Sequence, residues 1–172
     1  MDISDEAYRR SKVILGHMFE LNSITDNVGY NMNFHYLNKM GDIYHFSFAH
    51  LFPGDSFADG LSDKMLELNA RPIRPAMAEH SEEYQDAAAG FDVTAAAVKS
   101  LEKEIGDMII YLESDRSAGN DSFRLFFENM LEDQVTKVRK QADEWVDASH
   151  KLTEQTLNIH FEDYCHFIDI VK

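Results

Sequence analysis

Cysteine is almost missing from this chain. Cys165 is the only one, so no disulfide can form within the chain, and a reducing, cytoplasmic location is the simplest expectation. Proline is nearly as scarce. All three, Pro53, Pro72 and Pro75, fall between positions 53 and 75, which leaves two long stretches free to be helical. Glycine is limited to 8 residues, and no runs of Val, Ile and Thr alternate with polar residues as strands require. No apolar run approaches the roughly 20 residues of a membrane span. Met1-Asp2-Ile3-Ser4-Asp5-Glu6 is acidic, unlike the basic start of a secretory leader. Positive charge is the last shortage: 16 Lys and Arg face 31 Asp and Glu in 172 residues, a net charge of −15. The basic run at Lys137, Arg139 and Lys140 sits among acids. Such a chain repels nucleic-acid phosphates and anionic membranes and attracts cations, metal ions included.

What is present reads as a folded helical domain. Hydrophobic residues make up 44% and charged residues 27%, a globular balance. Ile14, Met18, Leu21, Thr25, Val28, Met32 and His35 recur at spacings of 4 and 3, an apolar helical stripe with Thr25 as its polar interruption. Ser4 before Asp5-Glu6 predicts the helix start. The first helix is expected over 5–39, with Gly41 as its stop. An aromatic segment follows, Tyr44, Phe46, Phe48 and Phe52, ended by Pro53-Gly54. Ser56 and Asp59 resemble a capping box, opening a helix with Phe57, Leu61, Met65 and Leu68 on one side. Positions 42–70 thus predict one broken second helix.

The spacing predicts a third helix over about 93–115, with Ala97, Leu101, Ile105, Met108 and Leu112 on one face. Asn120 or Asp121 caps a fourth over about 121–151, with Phe123, Phe127, Met130, Gln134, Val138, Ala142 and Trp145 inward. Leu157, Phe161, Tyr164, Phe167 and Ile168 suit a helical tail. The loops are short except for some twenty residues between the second and third helices, the connection that crosses a ferritin-like bundle. The expected fold is all-α: a ferritin-like four-helix bundle over 1–151 with a long crossover, plus a C-terminal helical tail over 152–172.

Two readings stay open for the residues that could carry chemistry. His35 closes the first helix's stripe, either as a packed histidine or as a metal ligand. Asp55, Asp59, Asp63 and Glu67 are spaced by 4 and form one acidic stripe. It is either a solvated face or a set of hard oxygen ligands whose mutual repulsion a cation would relieve. Of His45 and His50, His50 is favoured as a partner to His35, because it lies beside the Pro-Gly break and the carboxylates. Glu162 and His166 are a weaker pair, His17 lies off the stripe, and Cys165 reads as an ordinary small side chain. No Glu-x-x-His pair of the larger di-iron ferritins, phosphate loop or nucleophile elbow is found in these helices.

Phe34-His35-Tyr36, Gly41, an aromatic segment ending in His50, and Asp59-Gly-Leu-Ser-Asp63-Lys64 leading to Pro72 together resemble the Dps-type mini-ferritins. The resemblance spans about 5–150, with its motifs in 34–72. It implies a hollow homo-oligomer, a dimer at least and in the family usually a dodecamer, that oxidises Fe(II) with peroxide or oxygen at an inter-subunit ferroxidase site and stores ferric iron against oxidative damage. By that resemblance, His35, His50 and Asp55 of one copy and Asp59 and Asp63 of another hold the iron. The sequence departs from the family where Asp55 stands five residues after His50, where Asp63 replaces Glu, and where Pro53-Gly54 interrupts the second helix. That break favours the alternative, a non-catalytic oligomeric bundle with a degenerate metal site. A DinB-like metal hydrolase, needing three converging histidines, has little support from the His spacing.

Overall fold

Helix starts follow short polar side chains. In the computed structural model, which describes residues 1–45, 48 and 53–166 (the side chains of 53–55 excepted), Ser4 caps α1, Asp5–Phe34, by accepting the Ala7 amide. Asp5 and Glu6 place negative charge in its first turn, where the helix dipole favours it. Asp86 caps α4, Ala87–Ser114, by accepting from Ala89. Ser117, rather than Asn120 or Asp121, caps α5, Ala118–Asp133. Between these lie α2, Asn38–Tyr44, a wide π-wound stretch, Pro53–Ala58, and α3, Asp59–Glu67. After α5 come a π-wound stretch, Gln134–Arg139, then α6, Lys140–Lys151, and α7, Glu154–His160, which runs into a 3₁₀ turn, Phe161–Tyr164. The described residues contain helices and no strand, and no helix among them is long and apolar enough to cross a membrane.

The first turn forms where the sequence offered no glycine. α1 stops at Phe34, not near 39. The Leu37 amide reaches back to the Met32 carbonyl at 3.0 Å and the Tyr36 amide to Asn33 at 3.1 Å, a Schellman motif. Its left-handed position is Tyr36, at φ 63°. Gly41 lies inside α2, where it lets the helix press on α1: a Cβ there would collide with the Asn33 side chain. α3 ends in a second Schellman motif, with Asn69 at φ 53° and the Ala70 amide on the Met65 carbonyl. The expected capping box at Ser56 is not formed. Ala58 is helical, so the π-wound stretch runs straight into α3, and Pro53 and Gly54 are themselves wound into that stretch.

Cross-helix contacts give the topology. Asp2 donates its amide to the Leu68 carbonyl, while Gly29 lies against Tyr44 and His45; α1 and the α2–α3 arm are therefore antiparallel. Ser4 meets Tyr111, His17 meets Glu104 and Val28 meets Gly90, so α4 runs antiparallel to α1. Val98 accepts from Gln134, and Asp92 meets His150, which sets the α5–α6 arm antiparallel to α4. Between the two hairpins, residues 69–86 form an irregular strap. It travels the length of α1: Arg71 beside Tyr8, Pro75 over Gly16, Arg74 on the Phe19 ring, His80 on Glu20 and Glu82 beside Asn27.

The predicted inward stripes fill the space between hairpins. Ile14, Met18, Leu21, Thr25, Val28 and Met32 are buried, as are Leu61, Met65, Leu101, Ile105, Met108, Leu112, Phe123, Phe127, Val138 and Trp145. Tyr44, Phe48, Phe91, Trp145 and Phe161 form one aromatic cluster, with ring centroids 5.3–5.9 Å apart. Phe161 brings the tail into it. Each such side chain withdrawn from water contributes about 1.5–3 kcal/mol.

Candidate metal-binding face of the first hairpin

α1 turns one edge toward α2. Asn22, Asp26, Gly29, Tyr30 and Asn33 recur at helical spacing along that edge. His45 packs directly against Gly29. The His45 Nδ1 lies 3.3 Å from Asp26 Oδ1, and the Tyr30 ring covers the imidazole at 5.5 Å. One turn before Asp26, the Asn22 Oδ1 is buried with no hydrogen-bond partner among the described residues. An imidazole, a carboxylate and an amide carbonyl thus line one edge. This is a mixed nitrogen and oxygen donor set of the kind that suits a borderline divalent metal.

His35 lies on the other side of α1. Nine residues beyond Asp26, at about 100° each, carry it half-way round the axis. The apolar stripe ends at Met32, and His35 is exposed as the C-terminal cap. With Met32 and Leu37 it lines a small cleft that also holds Asp86 and Glu154. Both carboxylates are committed to the start of α4: Asp86 accepts from Ala89 and Glu154 from Ala87, each at 2.8 Å.

Asp59, Asp63 and Glu67 are exposed on the outer face of α3. The hydrogen bond from Asp2 to Leu68 pins the end of that helix to the start of α1. His35, at the far end of a 30-residue helix, is therefore on the order of 35 Å from Asp63 at 1.5 Å per residue. One chain does not bring these predicted ligands together. His50 lies outside the described residues, and so does the Asp55 side chain. Among the described residues, no three His, Cys, Asp or Glu side chains converge as metal ligands.

The weaker candidates are dispersed into ion pairs. His166 meets Glu144 at 2.5 Å, Glu162 faces Lys39 at 3.5 Å, and His17, exposed as expected, meets Glu104. Cys165 is buried. The sequence carried one signal for the Asp26–His45 pair: Asn22, Asp26 and Tyr30 stand four apart beside Gly29. Its meaning depends on where α1 turns, and the turn at 35–37 lacks the glycine that would mark it.

No charged side chain is buried between the helices among the described residues. The buried polar side chains among them are Ser11, Thr25, Thr94, Asn120, Gln134 and Gln141. Tyr44 and Thr94 share a 2.5 Å hydrogen bond, and burial pushes the Tyr44 hydroxyl well above its ordinary pKa. No protein-family model matches the chain, and no curated protein matches it.

Proposed function

We propose that the chain is a ferritin-like four-helix bundle, similar to the Dps-type mini-ferritins, that takes Fe(II) as its substrate. It would bind the ion on the outer edge of the first hairpin and pass its electron to oxygen or peroxide. The topology supports the fold: two antiparallel hairpins joined by a strap that runs the length of α1. The observation that carries the function is the Asp26–His45 pair, with Asn22 one turn away. The acidic excess would concentrate cations around it. Three donors leave a metal exposed, so a second copy or the segment holding His50 has to complete the site.

Anaerobic Fe(II) titration of the purified protein tests this. About one ion or more per chain, and ferric absorbance after peroxide, are expected. Asp26→Ala with His45→Ala should lower Fe(II) affinity at least tenfold, while His35→Ala with Asp59→Asn tests the ligand set that the resemblance implies. Wild-type protein that neither binds Fe(II) nor hastens its oxidation sinks the proposal. The second reading is a non-catalytic oligomeric bundle. The lack of a buried charged side chain between the helices, among the described residues, favours it, since the larger ferritins place their di-iron carboxylates there.

A further inference from the structure

The cations of this acidic chain are almost all neutralised locally. Every described Lys and Arg but three sits within 4.0 Å of a carboxylate. The three are Lys12, Arg71 and Arg74, and they stand together. Lys12 lies over the Tyr8 ring at 4.2 Å, the Tyr8 hydroxyl donates to the Arg71 carbonyl at 2.9 Å, and Arg74 lies over the Phe19 ring at 4.4 Å. Aromatic rings hold the Lys12 and Arg74 side chains in place and leave their charge uncompensated, while the Arg71 backbone is tied beside them. Beside them runs a groove of about 660 Å³ whose apolar wall includes Val13, Ile73, Pro75, Ala76 and Met77. Val13 and Ile73 are each 44% exposed.

The complementary surface is on the same chain. Asp59 and Asp63 have no cationic partner among the described residues, and both are exposed on α3 beside Glu67. Leu66, on the same helix, is 58% exposed. From Asp59 to Glu67 the stripe is about 12 Å long, and the row of cations, from Tyr8 to Phe19 along α1, is about 16 Å. Both patches lie toward the start of α1, because α3 ends against Asp2 and continues directly into the strap.

We propose that a second copy of this chain docks here. The α3 face of each copy, with Asp59, Asp63 and Leu66, seats on the other's groove against Lys12, Arg71 and Arg74. A two-fold axis makes the contact twice, as an isologous dimer requires. Opposite charges give the pairing its register, and like charges in the same places oppose it. The dimer gives Asp59 and Asp63 to assembly instead of to iron, so it stands apart from the Asp26–His45 reading.

Charge reversal tests it. Wild-type protein should sediment as a dimer or a multiple of one. Asp59→Lys with Asp63→Lys, and separately Lys12→Glu with Arg74→Glu, should each weaken dimerisation at least tenfold. An equimolar mixture of the two variants should restore it, because each reversed face then meets a reversed partner. Helicity by circular dichroism checks that the variants fold. Carbodiimide coupling of isotope-mixed wild-type protein supplies an independent readout: an inter-chain link from Lys12 to Asp59 or Asp63 is expected. A dimer that survives both reversals, a mixture that stays monomeric, or wild-type protein with no such link overturns the proposal.

Discussion

At the residue scale, polar side chains do most of the fastening. Asn120 is buried in the first turn of α5. Its amide donates to the Asp115 carbonyl, and its oxygen accepts from the Ser4 amide. A Tyr111 hydrogen bond holds the Asp115 carboxyl below the usual range. Glu6 receives Arg9 and Arg10 together, each at 2.7 Å, and their hydrogen bonds lower its carboxyl from 4.5 to about 2. Because the folded value lies below the unfolded one, its contribution is complete above pH 4.5 and is lost as pH falls toward 2. Glu6→Gln should therefore be less stable than wild type at neutral pH, with the gap closing through that window. Urea unfolding at a series of pH values measures it, and a gap independent of pH would contradict the assignment. The candidate site was legible only in its parts. His35 was read from a stripe that ends one turn earlier, and Asp26 acquires a role only once the turn brings His45 to it.

The elements were more legible, because burial leaves a periodic trace. The stripes of the first, third and fourth helices are the buried faces of α1, α4 and the α5–α6 arm. Boundaries were less legible where an unusual residue takes a special backbone conformation. Tyr36 occupies a left-handed position that glycine fills without a steric penalty. Gly41, read as the helix stop, serves instead as a point of close approach to Asn33. Tyr36 is 87% exposed, so little packing is lost if it is replaced. Tyr36→Gly should stabilise the fold by about 1 kcal/mol, raising the melting temperature by about 2–4 °C. A lower melting temperature by calorimetry would assign Tyr36 a contact that outweighs its strain.

At the scale of the whole molecule, the net charge of −15 is unevenly spread. The uncompensated cations gather on and beside the strap, and Asp59 and Asp63, without a cationic partner among the described residues, lie on the helix that leads into it. The strap also has a consequence for how the chain can be divided. Ala78 and Glu79 are both exposed in an irregular stretch, and each flanking half holds a complete hairpin. Severed there, each half would present one wall of the core to water, a large apolar face that neither can bury alone. Fragments 1–78 and 79–172 should therefore be poorly helical or aggregated apart and regain native helicity when mixed. Circular dichroism of the separate and combined fragments measures this, and a half that folds stably alone would refute it. In those terms the crossover is a tether: it raises the effective concentration of two hairpins whose faces already fit, and a reporter split at that bond would be restored by their meeting.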